Sequence, residues 1–315
     1  MIHFAHANLR VTLGGGGSDL PGFYEKYGGF WITAAIDKYI TVLVKPRFES
    51  ELRVSYSELE FASNPDEIKH PVVREALKHF KIHSHTEIIS ISDLPSGTGL
   101  GSSGAFTVAL LAALNKYVGG KDVDLPESAY ELERSTLNRM TGRQDHYAAY
   151  NGHTRAYTLS KSGNISSQLI KSGDKLNNHL SLFYTGRTRR SNNILEEVSK
   201  ADEIMLKIKD IGLDSYRALI DLDYTRFGEL LHEHWELKRS ISKNMSGGYI
   251  DKFYSCALKH GALGGKLCGA GGGGGFLMFC SRTPLDRDKL VSNMSGYLRH
   301  VPFKIVKEGM EVKTL

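Results

Sequence analysis

A segment near the middle of the chain combines glycines with hydroxyl side chains in a pattern suited to phosphate binding. It runs SGTGLGSSGA and places Gly97, Gly99, Gly101 and Gly104 close together. It follows a stretch of alternating apolar residues, typical of a strand, and leads into apolar residues at helical spacing. Glycines let backbone N–H groups approach an anion, and the start of a helix adds partial positive charge. The segment therefore predicts a phosphate-binding loop that opens a helix.

Two common phosphate-binding patterns can be compared with this segment. The Walker A loop ends in Gly-Lys-Ser/Thr, whereas this segment has Gly-Ser-Ser there, so that interpretation fails. The dinucleotide fingerprint G-x-G-x-x-G matches from Gly99 to Gly104, and the acidic residues Asp122 and Asp124 follow about twenty residues later. No apolar strand precedes these aspartates to carry an acid to a ribose. The fingerprint alone is weak evidence, and a dinucleotide site stays open as an alternative.

Two more glycine-rich segments lie at residues 14–17, before Ser18 and Asp19, and at residues 269–275. Each glycine costs backbone entropy on folding, so three such segments are hard to explain by folding alone. In the order GGGGSD, GLGSSGA and CGAGGGGGF, they resemble the three motifs of the GHMP kinases, a family that includes galactokinase, homoserine kinase and mevalonate kinase. The resemblance spans most of the chain.

This resemblance implies an α+β fold of two domains with an active site in the cleft between them. The N-terminal domain, residues 1–165, would be ribosomal protein S5 domain 2-like, and the C-terminal domain, residues 166–315, would be ferredoxin-like α/β. The polar run over residues 160–178 is the best candidate for their junction. The family uses ATP, and its ATP loop corresponds here to Pro95, Gly97, Gly99, Leu100, Gly101, Ser102, Ser103 and Gly104.

Magnesium and two charged side chains complete the chemistry that the resemblance implies. Mg²⁺ prefers oxygen ligands and keeps several waters, and Ser103 and Glu133 match the family's pair of ligands. Asp145, in GRQD, matches the catalytic aspartate, which takes the proton of the acceptor hydroxyl or only aligns that hydroxyl. Arg10 would stabilise the moving phosphoryl group or keep Asp145 charged. Without the resemblance, Asp145 suits a helix cap, Glu133 a solvated helix face and Arg10 the surface end of a strand.

The first motif, LRVTLGGGGSDLP over residues 9–21, is most similar to that of bacterial sugar kinases acting on D-glycero-D-manno-heptose 7-phosphate. Galactokinase-like enzymes have an acid and a histidine where this chain has Gly16 and Gly17. Asp19 matches the family's acceptor for sugar hydroxyls, since a carboxylate accepts through both oxygens, and it also suits the N-cap of the next helix. Two departures, His-Ala-Asn before the motif and His153 after Asn-Gly, leave the exact sugar open.

The expected activity is ATP-dependent phosphorylation of the anomeric hydroxyl of that heptose phosphate. The product would be the 1,7-bisphosphate, used to make nucleotide-activated heptose for surface polysaccharide. Arg187 and Arg189 are the best candidates for binding the substrate phosphate, because arginine offers a planar fork of donors, although a solvated basic loop explains them nearly as well. Lys238 is a weaker candidate. The alternatives are another GHMP sugar-1-kinase, for fucose or another hexose, and a catalytically silent ligand-binding relative.

The elements that must position these residues follow from periodicity and turn signals. Helices are expected near residues 20–27, 71–79, 105–118, 126–140, 191–210, 214–221, 225–242, 247–262 and 285–297. Strands are expected over residues 2–11, at GFWITAAI and YITVLVK as a pair, and at TRAYTLS, LSLFYT, FLMFC and VPFKIVK.

Composition narrows the class of protein further. With 315 residues and a hydrophobic share of 41 %, the chain is long enough for two domains with full cores. A net charge of +5 suits anionic small molecules, and the dispersed basic residues argue against a nucleic-acid partner. Neither a membrane-length apolar run nor a signal-peptide layout is present in the sequence, so we expect a cytoplasmic protein without a membrane partner. A homodimer is compatible with these features.

Overall fold

The computed structural model describes residues 1–120, 123–188 and 192–315. The strands are β1 (His3–Gly14), β2 (Gly29–Pro46), β3 (Leu52–Ser55), β4 (Leu59–Ala62), β5 (Thr86–Ser92), β6 (Thr154–Leu159), β7 (Ile165–Leu169), β8 (Leu180–Tyr184), β9 (Gly264–Leu267), β10 (Phe276–Cys280), β11 (Arg299–His300) and β12 (Glu311–Thr314). The α-helices are α1 (Pro21–Tyr27), α2 (Pro71–His79), α3 (Ser102–Tyr117), α4 (Leu125–Glu131), α5 (Gln144–Asn151), α6 (Asn192–Ser199), α7 (Asp202–Ile220), α8 (Tyr224–Ile241), α9 (Gly248–Lys259) and α10 (Pro284–Met294). Among the helices in these ranges, none is long and apolar enough to cross a membrane.

The strands form two sheets, which together with the helices confirm the predicted α+β class. The larger sheet has the order β12-β1-β2-β5-β3-β4, with β6 paired to β2 and β7 paired to β6. The smaller sheet has the order β11-β8-β10-β9. β1 lies in the larger sheet and ends at Gly14, in the first glycine-rich segment.

β2 is one strand of 18 residues, so the prediction of two strands joined at Asp37 and Lys38 is wrong. Its first part pairs with β6 and its second part with β5, both antiparallel. Opposite β1, the register passes from Asn8 facing Tyr39 to Leu9 facing Ile36, which leaves Asp37 and Lys38 as extra residues in a bulge. The bulge accommodates this polar pair without ending the strand.

α3 lies at the centre of the core and fixes the position of the phosphate-binding loop before it. The helix is apolar on nearly all sides from Ala105 to Leu114, and it packs against β1, β2, α2, α4 and α5. A helix that is apolar all round is enclosed rather than lying at the surface. The first turn of α3 is therefore anchored by a buried body that cannot shift easily.

The last residues of the chain return to the larger sheet. β12 pairs antiparallel with β1, and β7 pairs with β6. The predicted strand VPFKIVK is wrong, since only Ile305 within it forms a bridge, to Ile36. The predicted domain boundary between residues 165 and 166 stays a prediction.

Three helices differ in extent from the prediction. The single helix expected over residues 191–210 is interrupted, because α6 ends at Ser199 and α7 begins at Asp202. The helix expected over residues 126–140 is α-helical only to Glu131 and continues as a π-helical turn over Leu132–Thr136. Residues 214–220 belong to α7 and do not form a helix of their own. The wider π turn lies at the position of Glu133, a predicted metal ligand, and such turns are frequent at functional sites.

α7 packs directly against the first glycine-rich segment, which gives a test of the fold. A methyl group at Gly212 would lie 2.9 Å from both Cα and N of Gly15. Since both atoms are backbone, we expect Gly212→Ala to lower the free energy of unfolding by about 1–3 kcal/mol, measured by urea denaturation. Gly22→Ala is the control, because a Cβ there has nothing within 4 Å and alanine favours a helix. Equal stability of the two variants would contradict this packing.

Candidate active site

Three glycine loops meet at one place in the fold: the first (residues 14–17), the second (residues 97–104) and the third (residues 269–275). A Cβ on Gly99 would lie 2.2 Å from the carbonyl oxygen of Cys268, and one on Gly275 would lie 2.4 Å from that of Thr98. The second and third loops are therefore in direct backbone contact, which only glycine allows.

The three loops line a single cleft with about 1010 Å³ of empty space, part of it open to solvent. The predicted site residues that line it are Arg10, Gly16, Gly17, Asp19, Gly97, Gly99, Gly101, Ser102, Ser103 and Asp145. The predicted residues not among its lining are Pro95, Leu100, Gly104, Glu133 and Arg187. Arg189 lies outside the described residues.

The second loop has the geometry of an anion-binding loop. Gly97, Gly99 and Gly101 have φ angles of 70°, 85° and 79°, a region that side chains other than glycine rarely adopt. Gly101 is the N-cap of α3, and the first N–H groups of a helix have no intrahelical acceptor. Backbone donors and the helix dipole thus converge where Ser102 and Ser103 line the cleft.

Arg10 joins this loop to Asp145. Its Nε and Nη2 both donate to Oδ1 of Asp145, at 2.9 and 2.6 Å, and its Nη1 donates to the carbonyl of Gly99 at 2.7 Å. The Arg10 backbone N–H also donates to the carbonyl of Leu100 at 3.0 Å. A methyl group at Gly104 would lie 2.6 Å from Cβ of Asp145, so α3 and α5 approach closely there. Arg10 is therefore buried in an ion pair, and its interpretation as a surface arginine is wrong.

Asp19 lies on the same wall of the cleft. It does not cap α1, whose N-cap is Leu20 without a side-chain bond, so that alternative is wrong. Instead, its Oδ2 accepts from the backbone N–H of Gln144, the first residue of α5, at 2.8 Å. Burial raises the pKa of Asp19, and this donor offsets only part of the effect. A Cβ on Gly142 would lie 2.1 Å from the same Oδ2, so only glycine fits there.

Glu133 is buried, so its interpretation as part of a solvated helix face is wrong. Its Oε1 accepts from the hydroxyls of Ser103, at 3.2 Å, and Thr107, and lies 3.9 Å from Nε2 of His146. Burial alone would raise the pKa of Glu133, but His146 and Thr107 outweigh it, and the net pKa is lowered. A charged carboxylate beside the Ser103 hydroxyl provides the hard oxygen ligands that Mg²⁺ prefers, so these residues fit the predicted metal.

Arg187 does not line the cleft, whereas three residues that the sequence analysis missed do line it. Arg187 is exposed, and its guanidinium lies 4.2 Å from the ring centre of Tyr249. Thr12, Gln144 and Lys266 line the cleft instead. Lys266 is only 2 % exposed and lies near the end of β9, just before the third loop. Its position next to a glycine-rich motif was the signal in the sequence that could have indicated a residue of the site.

Two parts of the chain match models of one protein family. Residues 69–153 match the family model of the GHMP kinases N terminal domain, and residues 215–299 match that of the GHMP kinases C terminal. The chain is 30 % identical to the D-glycero-alpha-D-manno-heptose 7-phosphate kinase of Campylobacter jejuni, with 96 % of both chains covered. It is 28 % identical to a mevalonate kinase of Methanothermobacter thermautotrophicus, over 79 % of this chain and 82 % of that one.

A solved structure extends the comparison to the fold. The D-glycero-D-manno-heptose 1-phosphate kinase from Bacteroides thetaiotaomicron superposes with a TM-score of 0.82 over 100 % of this chain and 99 % of that one. Its identity is 23 %, so this likeness concerns the fold alone. Together with the two family models and the near full-length relative, it confirms the two-domain kinase fold. The chain therefore belongs to the GHMP kinase family.

Proposed function

We propose that this ATP-dependent sugar kinase phosphorylates the anomeric hydroxyl of D-glycero-D-manno-heptose 7-phosphate, with Mg²⁺ as the metal. The choice of sugar is supported by the 30 % identity to a heptose 7-phosphate kinase over 96 % of the chain. The choice of reaction is supported chiefly by the position of Asp145, which lies in one cleft with Arg10, Asp19 and the phosphate-binding loop.

The geometry of Asp145 suits an acceptor hydroxyl. Both donor nitrogens of Arg10 go to Oδ1, so Oδ2 takes no bond from that arginine. The Asp145 side chain is 28 % exposed, whereas that of Arg10 is 4 % exposed. A sugar hydroxyl in the cleft can therefore donate to Oδ2, while Arg10 fixes the orientation of the carboxylate.

In the proposed reaction, the hydroxyl oxygen forms a bond to the γ-phosphorus of ATP, and the bond from that phosphorus to the bridging oxygen of ADP breaks. The hydroxyl proton passes to Asp145 or to water, and Asp145 also aligns the hydroxyl. Arg10 lies beside the loop and offsets negative charge on the group in transfer. Mg²⁺, when bound, neutralises charge on the ATP phosphates, and Ser103 and Glu133 would hold it.

The test of substrate choice is sugar-dependent ADP release. We expect the highest kcat/KM with heptose 7-phosphate, well above that with the same heptose lacking its phosphate, because the phosphate adds charged contacts. A preference for fucose or another unmodified sugar would show that this sugar, and not the heptose phosphate, is the substrate. Binding of ATP without any sugar-dependent turnover would show a catalytically silent relative.

Asp145→Asn tests the catalytic role. Since the variant keeps the shape but loses the negative charge, we expect kcat to fall about 10²–10⁴-fold, with affinity for ATP nearly unchanged. The measurement is steady-state turnover together with calorimetric titration of ATP. Asp214→Asn, at an exposed ion pair of α7, is the control and should retain full turnover. Turnover of Asp145→Asn near that of the wild type would remove Asp145 from the reaction.

Ser103→Ala and Glu133→Gln test the metal site. Each variant removes one oxygen ligand or its charge, so we expect a higher Mg²⁺ concentration for half-maximal activity. Glu131→Gln is the matched control, because Glu131 is exposed and lies two residues before Glu133. An unchanged Mg²⁺ dependence in both site variants would exclude these residues as ligands.

A further inference from the structure

A cluster of three basic side chains lines the cleft on the side of the smaller sheet. His234 and Lys238 lie one turn apart on α8, and Lys266 lies on β9. All three line the cleft, yet they are only 1, 8 and 2 % exposed. Buried basic groups of this kind are costly unless a counter-charge is supplied.

Close packing of α8 against β9 brings this basic cluster together. A Cβ on Gly264 of β9 would lie 2.1 Å from the carbonyl oxygen of Gly228 on α8. Lys238 donates to the carbonyl oxygen of Gly269, so the cluster is tied to the third glycine loop. The arrangement is therefore fixed by backbone contacts and continues directly into the phosphate-binding region.

The carboxylates that line the cleft do not contribute to the pKa shifts of His234 and Lys266. Among the described lining residues they are Asp19 and Asp145, and Asp145 is already paired with Arg10. Nδ1 of His234 is buried and has no hydrogen-bond partner in the described residues. Burial, and then the charges of Lys266 and Lys238, lower the pKa of His234 well below its usual value.

Lys266 also lies in surroundings that disfavour its charged form. Burial lowers its pKa to about 7; Cys268 opposes this shift, and the nearby Arg10 adds to it. Among the described residues, no carboxylate contributes to that shift. A lysine kept in this state is prepared to receive an anion, because the anion would restore the favourable environment of the ammonium group.

We propose that His234, Lys238 and Lys266 form a binding site for a phosphate group, carried either by the sugar substrate or by the end of ATP. The proposal rests on the proposed function only for these two sources of phosphate. The site faces the same cleft as Arg10 and the second glycine loop. A phosphate dianion accepts hydrogen bonds from lysine and histidine side chains, and its charge stabilises the ammonium form of Lys266.

Lys266→Met is the main test, because it removes the charge and keeps most of the side-chain length. Calorimetric titration compares heptose 7-phosphate with the unphosphorylated heptose, and the ATP analogue AMP-PNP with ADP. We expect the variant to lose about 10- to 100-fold of the wild-type preference within one of these pairs, as for a lost hydrogen bond to a charged group. Loss in the first pair assigns the sugar phosphate, and loss in the second assigns the terminal phosphate of ATP.

Two control variants show whether the effect belongs to this cluster. Lys289→Met makes the same charge change at an exposed position of α10 and should keep both preferences. Arg187→Ala tests the arginine predicted from the sequence. Loss of the sugar-phosphate preference in Arg187→Ala, with both preferences retained in Lys266→Met, would overturn the proposal.

Stability and proton uptake distinguish binding from a structural role. A lysine whose pKa is lowered on folding costs stability below its unfolded pKa, so Lys266→Met should raise Tm at pH 8. At that pH, phosphate binding should be accompanied by proton uptake in the wild type, and by less proton uptake in Lys266→Met. The titratable and charged groups that face Lys266 and His234 are Arg10, Lys238 and Cys268, together with each other. If Lys266→Met keeps the wild-type preference for the phosphorylated ligand in both pairs, the proposal is overturned, even where heptose 7-phosphate is a substrate. Failure of turnover alone overturns only the proposed function.

Discussion

The ion pair between Arg10 and Asp145 connects the elements on which the cleft depends. Arg10 comes from β1, Asp145 from the first turn of α5, and the same guanidinium holds the carbonyl of Gly99 in the second glycine loop. The pair is enclosed by Gly101, where a Cβ would lie 3.1 Å from Cγ of Arg10. One interaction thus sets the distance between the second glycine loop and the carboxylate of Asp145. Breaking it would leave a charge in a site where Arg10 is 4 % exposed, which is costly.

The cleft also depends on backbones that approach closer than any side chain would permit. Gly99 against Cys268 and Gly275 against Thr98 each leave no space for a Cβ. These contacts join loops far apart in the sequence, and they explain why glycine is concentrated in three segments. The entropy lost by the glycines is offset by a cleft whose walls are made of backbone donors and acceptors.

Much of the site could be predicted because its signals are local. The glycine spacing, the serines before α3 and the GRQD segment are visible in the sequence, and the structure brings Arg10, Asp19, Ser103 and Asp145 to one cleft. What could not be predicted depends on distant contacts. The burial of Glu133 needs Thr107, His146 and a π turn, and β2 stays continuous only because a bulge opposite β1 absorbs two polar residues.

Lys266 was missed for a related reason, since a lysine inside a strand gives no sign that its side chain is buried in a cleft.

The central claim remains the transfer of a phosphoryl group to the anomeric position, and phosphorus NMR of the reaction of heptose 7-phosphate with ATP tests it most directly. The account predicts a new phosphorus signal that couples to the anomeric proton, with the 7-phosphate signal retained. A new phosphate at any other carbon, or release of inorganic phosphate alone, would contradict it.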